Sequence, residues 1–370
     1  GWNFVDNTPF ISPHFHGTHV AGTVSAENNN GEGVAGVAGG TGNGDGVRLM
    51  SCQIFAGKYQ TSATASNLAE PFIYAADNGA VIAQCSWGWN EAGYVEKAVL
   101  EAIDYFIENA GRDKDTGEPL PNTKMAGGIV FFATGNLGQE GLYYPGCYKN
   151  VIAVAATDHE NKMTTYSNHG TWVDIVAPGG NVDSTGDVRG VWSTSVSGGY
   201  EPMEGTSMAC PHVSGVAALV LSSLGHQNYT PELLWTRMKN ACINLDDLNP
   251  DFAGHMGAGI IDAAKAVQVD DGIPPNAVTD LALTVIAQDY IDVTFTAPVD
   301  TDNGSAARYD LRSSLNPITE ANFNALTGIV ADARVAGTTE NLRIEGLTPA
   351  TPSYICLLYP SDAADEEDSV

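Results

Sequence analysis

Short apolar runs alternate with amphipathic segments along the first two-thirds of the chain. Apolar runs typical of buried strands occupy residues 47–55, 81–86, 129–134, 151–156 and 172–176. Helical periodicity occupies residues 68–77, 94–110 and 231–241, and Pro71 is expected to limit the start of the first of these helices. Alternation of this kind predicts an α/β fold with a mostly parallel sheet covered by helices.

The period of the apolar pattern changes to two beyond residues 269–276, a segment rich in turn residues and acids. Residues 281–285 and 291–295 alternate between apolar and polar side chains, as half-buried strands do. A chain of 370 residues is long enough for two domains. We expect an α/β domain at residues 1–268, a linker at 269–276 and an all-β domain at 277–355.

One serine, Ser207, stands between a glycine-rich approach and a run of small apolar residues. Residues 205–212 read GTSMACPH, and small side chains at helical spacing let a helix pack deep inside a domain. Since Pro211 is tolerable only in a first helical turn, the helix is predicted to begin near Ser207. A hydroxyl at the positive end of a helix dipole suits a nucleophile whose reaction creates an oxyanion.

Two further segments carry chemistry that complements a serine. Residues 16–23 read HGTHVAGT, which places a histidine beside a glycine before another run of small residues. The apolar run 129–134 is followed by Gly135 and Asn136, and a carboxamide at a strand end can donate to an oxyanion. A lone histidine is more often structural and a lone Gly-Asn pair more often a turn. The three segments together favour the catalytic interpretation.

These motifs resemble those of the subtilisin-like serine peptidases, and the resemblance covers the whole first domain. It implies a doubly wound fold and a serine endopeptidase that hydrolyses proteins or peptides through an acyl-enzyme on Ser207. His16 would be the general base, and Asn136 would hold the oxyanion together with the Ser207 N–H. His19 and His212 would have no catalytic role. The alternative is a non-catalytic peptide-binding or adhesive surface protein.

The aspartate of the expected triad has no good candidate in this sequence. In the family the chain order is Asp, His, Ser, and the only acid before His16 is Asp6. Asp6 lies in a segment that resembles the loop after the catalytic aspartate. We therefore interpret the chain as truncated at its N-terminus and expect it to be inactive. A degenerate enzyme that has lost its aspartate is the alternative.

The resemblance also assigns substrate-binding residues. Ser86, Trp87 and Gly88 resemble the strand edge that hydrogen-bonds an extended substrate and forms one wall of the S1 pocket, and Gly135 belongs to the same cleft. Tyr143 aligns with the floor of that pocket, where a large ring would shorten it. We expect a preference for small or medium residues at P1.

A structural Ca²⁺ site is implied by the loop that follows the histidine segment. By resemblance, Asn30 would bind through its side chain, and Asn28, Glu32 and Val34 through their main-chain carbonyls. Oxygen ligands at this density suit a hard cation. The alternative is an ordinary turn rich in asparagine and glycine. No organic cofactor is implied.

Composition restricts the partners and the location. A net charge of −28, from 16 basic and 44 acidic side chains, argues against nucleic acid and anionic membranes as partners. No apolar run is long enough for a transmembrane helix. We expect a monomer that is secreted or on the cell surface. Of the six cysteines, Cys52 and Cys85 lie on neighbouring predicted strands and are candidates for pairing, whereas Cys210 is expected to be a buried free thiol.

The C-terminal part is predicted to hold two different segments. Residues 277–355 resemble an incomplete fibronectin type III module, a small β-sandwich. Residues 356–370 resemble the translated sequence of a transposase adapter used in sequencing libraries, and we interpret them as a non-native tail. An ordinary acidic tail is the alternative.

Overall fold

The computed structural model describes residues 1–182, 188–267, 276–287, 289–299, 308–323, 325–326, 328–332, 336–347 and 353–358. The chain divides into two units, residues 1–267 and 268–370. The predicted linker 269–276 lies outside the described residues except for Asn276, and so do residues 359–370 of the predicted tail.

Helices and short strands alternate in the first unit. The helices are α1 (Phe15–Ser25), α2 (Ala65–Asp77), α3 (Lys97–Asn109), α4 (Thr206–Ser223), α5 (Pro231–Asn240) and α6 (Ala263–Ala266), with a 3₁₀ turn at Pro250–Phe252. The strands are β1 (Trp2–Asn3), β2 (Cys52–Gln53), β3 (Ile82–Cys85), β4 (Ile129–Ala133), β5 (Ile152–Thr157), β6 (Ile175–Pro178), β7 (Asn181–Val182), β8 (Val188–Arg189), β9 (Val191–Thr194), β10 (Tyr200–Met203), β11 (Cys242–Ile243) and β12 (Ile260–Ile261).

A six-stranded sheet forms the centre of this unit, in the order β11-β12-β6-β5-β4-β3. Every neighbouring pair in it is parallel except β11 with β12. The strands β1 and β2 form a separate parallel pair, while β7 pairs with β8 and β9 with β10 in antiparallel ribbons. The predicted mostly parallel α/β architecture is confirmed.

Apolar side chains project from both faces of the central sheet. On β4, Phe131 packs into a cluster with residues of α4 and α5, whereas Val130 and Phe132 pack on the opposite side with α2 and α3. All five residues of β4 are buried, as expected for a parallel strand covered by helices on both faces. The helix α4 is buried along most of its length because its side chains are small.

Several element boundaries differ from the sequence predictions. The predicted strand at 47–55 is reduced to the two residues of β2, and α3 begins at Lys97 rather than at residue 94. Pro71 does not limit the start of α2, because this helix begins at Ala65, where the Thr64 hydroxyl caps the Asn67 N–H. All six cysteines are free, so the suggested pairing of Cys52 with Cys85 is absent.

The second unit contains β13 (Ala282–Ile286), β14 (Tyr290–Thr296), β15 (Arg308–Ser314), α7 (Glu320–Phe323), β16 (Gly328–Asp332), β17 (Thr339–Glu345) and β18 (Tyr354–Leu358). Its strands form two antiparallel sheets, β13-β14-β17 and β16-β15-β18. Both sheets contribute to one apolar cluster, which includes Val293, Leu311 and Ile344. Strand β18 extends into the segment predicted to be a non-native tail. Among the described residues, no helix has the length and apolar character of a membrane span.

Candidate active site

The N-terminus of α4 is held by a tyrosine hydroxyl. Gly205 is the N-cap of α4 and has a φ of 143°, a backbone conformation that favours glycine. The Tyr166 hydroxyl accepts a hydrogen bond from Gly205 N–H at 3.1 Å and donates one to the Gly180 carbonyl at 2.7 Å. This places Ser207 in the first turn of the helix, as predicted.

Pro211 lies in the second turn of α4, so the expectation of a first-turn proline is wrong. A proline has no N–H to donate to the carbonyl four residues earlier, which here belongs to Ser207. The Ser86 hydroxyl donates to that carbonyl instead, at 2.8 Å, and Ser86 Oγ in turn accepts from the Gln84 side chain at 2.6 Å. The Ser207 hydroxyl donates to the Ser86 carbonyl at 3.3 Å.

The Asn136 carboxamide has a fixed orientation. Its Oδ1 accepts from both the N–H and the hydroxyl of Thr206, each at 2.9 Å, and Thr206 Oγ1 accepts from Gly135 N–H at 3.1 Å. A Cβ placed on Gly205 would stand 3.4 Å from Asn136 Nδ2 and 3.7 Å from Ser207 N. The two nitrogens therefore border the same small space, which is open because Gly205 has no side chain.

His16 lies in the first turn of α1, a helix that packs against α4. Burial, together with the nearby His14 and His19, lowers the pKa of His16 to about 4. No hydrogen bond joins the His16 ring to another residue in the part of the chain that the structure describes. At neutral pH this imidazole is uncharged and can accept a proton. His16 and Ser86 line the same cavity.

That cavity has a volume of about 1100 Å³ and lies beside two strand edges. Residues of both β2 and β3 line it, and each of these strands pairs on one side only among the described strands. Apolar side chains of α1 and α2, including Val24 and Phe72, complete its walls. Asp6 accepts a hydrogen bond from the Asn3 side chain at 3.0 Å, within the N-terminal turn.

The predicted substrate-binding residues fall into two neighbouring segments. Ser86 is buried just after β3, Trp87 packs edge-on against Phe132 with ring centroids 5.0 Å apart, and Gly88 is exposed. Trp89 N–H donates to the Tyr144 carbonyl at 3.1 Å, which joins this segment to the turn that holds Tyr143. The Tyr143 ring is buried, and its hydroxyl donates to the Gln139 side chain at 2.7 Å.

His19 and His212, which the resemblance leaves without a catalytic role, have main-chain partners. A ring nitrogen of His19, Nε2, lies 3.0 Å from the Glu201 carbonyl, and Nδ1 of His212 lies 2.8 Å from the Met208 carbonyl. Burial is the main cause that lowers the pKa of both residues.

The predicted calcium loop offers oxygen atoms, one of them without a partner. Asn30 Oδ1 accepts from Glu32 N–H at 2.9 Å, and Asn28 N–H donates to the Gly39 carbonyl at 3.2 Å. Asn28 Oδ1 is buried, and no described residue donates to it. Asn30 and Glu32 are exposed, and Val34 is half-buried. Within the described ranges no group of three or more His, Cys, Asp or Glu side chains is arranged to hold a metal.

Sequence reasoning missed three residues that organise the site. Thr206 stands inside the serine motif, but the role of its hydroxyl in orienting Asn136 depends on a contact with a distant strand end. Tyr166 carries no motif. Asn168 donates to the Thr134 carbonyl at 2.9 Å and accepts from Leu137 N–H at 3.0 Å, which closes the loop around Asn136.

Known proteins resemble this chain over its first unit. The model of the subtilase family, Peptidase S8, matches residues 1–259. A thermophilic serine proteinase of Bacillus sp. (strain AK1) is 38% identical over 62% of this chain and 48% of its own length. Halolysin of Haloferax mediterranei is 32% identical over 74% of this chain and 45% of its own length, so the chain spans about half of each relative. A protease structure from Pseudoalteromonas arctica superposes with a TM-score of 0.52 at 30% identity, over 68% of this chain and 70% of that one.

Proposed function

Since the chain belongs to the subtilase family, we propose that it is a serine-type endopeptidase that acts on proteins or peptides. Ser207 Oγ attacks the scissile carbonyl carbon while His16 takes the hydroxyl proton, and His16 then returns this proton to the leaving amine. Water hydrolyses the resulting ester by the same proton transfers. The observation that carries this proposal is the space beside Gly205, which both Asn136 Nδ2 and Ser207 N border.

Preorganised donors explain why that space suits an oxyanion. A tetrahedral intermediate puts negative charge on the former carbonyl oxygen, and donors fixed beforehand stabilise it without reorganisation. Thr206 occupies both acceptor directions of Asn136 Oδ1, so the amide nitrogen is left to donate. The N-terminus of α4 adds a favourable dipole at the same point.

We also propose that these 370 residues lack the carboxylate partner of His16 and therefore have little peptidase activity. In the mechanism such a carboxylate fixes the tautomer of the histidine and stabilises its protonated form. The cavity beside His16, bordered by the one-sided strands β2 and β3, has room for an extended segment with apolar side chains on both faces. A strand that ends in an acid beside His16 would fill it.

Labelling by a fluorophosphonate tests the peptidase proposal, because only an activated serine reacts. We expect slow labelling of the wild-type chain that Ser207→Ala abolishes and His16→Ala reduces strongly. Ser222→Ala, an exposed serine of the same helix, is the matched control and should label normally. Labelling that survives Ser207→Ala would refute the proposal, and no labelling at all would favour a non-catalytic peptide-binding or adhesive protein. Robust casein hydrolysis by the purified chain would refute the proposed inactivity.

The segment after β3 is the proposed docking edge for an extended substrate, with Ser86, Trp87 and Gly88 on one side of the S1 pocket and Gly135 on the other. The buried Tyr143 ring, anchored on Gln139, supports the prediction of small or medium P1 residues. Cleavage after phenylalanine far faster than after alanine, in a peptide library, would contradict it.

We propose that the loop 28–34 binds Ca²⁺ as a structural ion. The all-oxygen donor set of the loop supports it. Asn30 would bind through its side chain, and Asn28, Glu32 and Val34 through carbonyls. Calcium should raise the melting temperature of the wild type and not of Asn30→Ala, while Asn43→Ala in a neighbouring loop serves as the control.

The second unit is proposed to be an incomplete fibronectin type III-like module. Two antiparallel sheets that share one apolar cluster support this assignment. Such a module would act as a spacer or binder. We further propose a monomer that is secreted or on the cell surface, which sedimentation of the purified protein and fractionation of the producing cells would test.

A further inference from the structure

We propose that His169 and His255 form a binding site for a divalent transition-metal ion of the Zn²⁺ class. Their Nδ1 atoms lie 3.4 Å apart, with ring centroids separated by 5.6 Å and ring planes inclined by only 19°. The two residues are 86 positions apart in sequence, so the ion would join two separate loops of the first unit. This site plays no part in the proposed peptidase chemistry.

The two nitrogens are within reach of a long hydrogen bond, and their separation also matches a shared metal ion. Hydrogen bonds with an N–H donor are usually about 2.7–3.2 Å long. Zn²⁺ binds imidazole at about 2.0–2.1 Å, and a tetrahedral angle between two such bonds places the nitrogens about 3.4 Å apart. A small rotation of both rings would direct their lone pairs to one point beside the line that joins them.

Both imidazoles are half-buried, so an ion can reach them from solvent. The main chain of Glu140 forms a β-bridge with that of His169. Among the described residues no third His, Cys, Asp or Glu joins the pair in an arrangement that could hold a metal, so water would complete the coordination.

Main-chain hydrogen bonds position both loops, and one ring contact orients His169, before any ion binds. His169 N–H donates to the Gln139 carbonyl at 3.3 Å, and Phe252 packs edge-on against the His169 ring with centroids 5.0 Å apart. His255 N–H donates to the Phe252 carbonyl at 2.9 Å. Preorganised ligands lose little freedom on binding, which favours affinity.

Calorimetric titration with Zn²⁺ and Ni²⁺ tests the proposal. We expect one site in the wild type, at least a roughly tenfold weaker affinity in His169→Ala and in His255→Ala, and no such site in the double variant. His226→Ala removes an exposed histidine elsewhere and should leave the affinity unchanged. Zn²⁺ should raise the melting temperature of the wild type and of His226→Ala, but not that of the variants without His169 or His255. Mg²⁺ should not raise the melting temperature of the wild type or of His226→Ala.

Equal Zn²⁺ affinity in the wild type and the double variant would overturn the proposal, as would an absence of binding at millimolar Zn²⁺. Circular dichroism establishes that each variant is folded, and His255→Gln, which preserves size and polarity, replaces any alanine variant that is not. Retention of wild-type affinity in His255→Gln would also overturn it.

Discussion

Asn136 Oδ1 accepts two hydrogen bonds from one residue, Thr206, through its N–H and its hydroxyl at 2.9 Å each. Because Thr206 precedes Ser207 directly, the carboxamide and Ser207 belong to one rigid unit. Thr206 is fully buried, so water cannot replace either bond. The orientation of Asn136 is therefore set by the helix that carries the serine.

Replacing the Thr206 hydroxyl should slow acylation of Ser207. Thr206→Val removes one bond to Asn136 and the acceptor of Gly135 N–H, and we expect the fluorophosphonate labelling rate to fall about tenfold. Thr206→Ser retains the hydroxyl and should remain within about twofold. In subtilisin, loss of one oxyanion-hole donor lowers turnover by about 10²–10³, and we expect a loss on this scale in Asn136→Ala. Equal labelling rates in Thr206→Val and the wild type would show that the hydroxyl does not orient Asn136.

Small carboxylate anions should partly restore the reactivity of Ser207. His16 opens onto a cavity of about 1100 Å³ and has a pKa of about 4, so it resists the positive charge that proton transfer creates. Formate or acetate in the cavity would pair with protonated His16 and raise its pKa, which favours that transfer. We expect labelling to rise with formate concentration and to saturate. Chloride at equal ionic strength should have no effect, and stimulation that persists in His16→Ala would contradict the prediction.

Removing the Ser86 hydroxyl should destabilise the start of α4. Ser86→Ala leaves the Ser207 carbonyl without a donor, because Pro211 cannot supply one. We expect a loss of about 1–2 kcal/mol in the free energy of unfolding, measured from urea midpoints. Ser25→Ala is the control: its hydroxyl donates at 3.4 Å to a carbonyl of an ordinary helical turn in α1. An equal effect of the two substitutions would remove the special role assigned to Ser86.

Asp174 should make stability depend on pH. Burial raises its pKa to about 6, although the Ala153 N–H donates to it at 2.8 Å. The folded state therefore binds more protons than the unfolded state between about pH 4 and 6, and stability decreases as pH rises through this window. The Asp174→Asn variant has no carboxyl group to titrate at this position. Its free energy of unfolding relative to that of the wild type should therefore increase by about 1–2 kcal/mol from about pH 4 to 7. Asp115→Asn, at an exposed site, should show no such trend in denaturant midpoints.

Salt should stabilise the protein. With a net charge of −28, the acidic side chains repel one another more strongly in the folded state, where they lie closer together. Raising the ionic strength from about 0.1 to 1 M shortens the Debye length from about 10 to about 3 Å and weakens this repulsion. We expect the melting temperature to rise by about 3 °C or more over this range of NaCl. Choline chloride should act similarly if screening is the cause. A melting temperature that is unchanged or falls would contradict this prediction.

The central sheet was predictable because its strands are buried on both faces. Continuous apolar runs such as 129–134 have no other stable place in an α/β fold, and their positions agree with the structure within a few residues. The shortening of β2 was not predictable, since pairing of residues 47–55 depends on neighbours that sequence patterns do not specify. The start of α3 was misplaced because Tyr94 and Val95 fit the helical period yet lie exposed before the first turn.

The site was predictable as far as its motifs reach. Ser207, His16 and Asn136 stand in recognisable motifs that contain glycine. Tyr166 and Asn168, in contrast, act through hydrogen bonds to main-chain atoms far away in the sequence. The position of Pro211 was misjudged for a physical reason: a serine from another strand supplies the missing donor. Long-range compensation of this kind leaves no local pattern.

The hydrogen bond from the Ser86 hydroxyl to the Ser207 carbonyl couples the local unfolding of β3 to that of the first turn of α4. In an ordinary helix the first turn can fray by itself, because its carbonyls bond only to the next turn. Here the carbonyl of Ser207 is held by the end of β3, so unwinding that turn also releases the strand. Amide protons at the start of α4 should therefore exchange with deuterium at a rate set by the detachment of β3, and Ser207 remains ordered for as long as that edge of the sheet does.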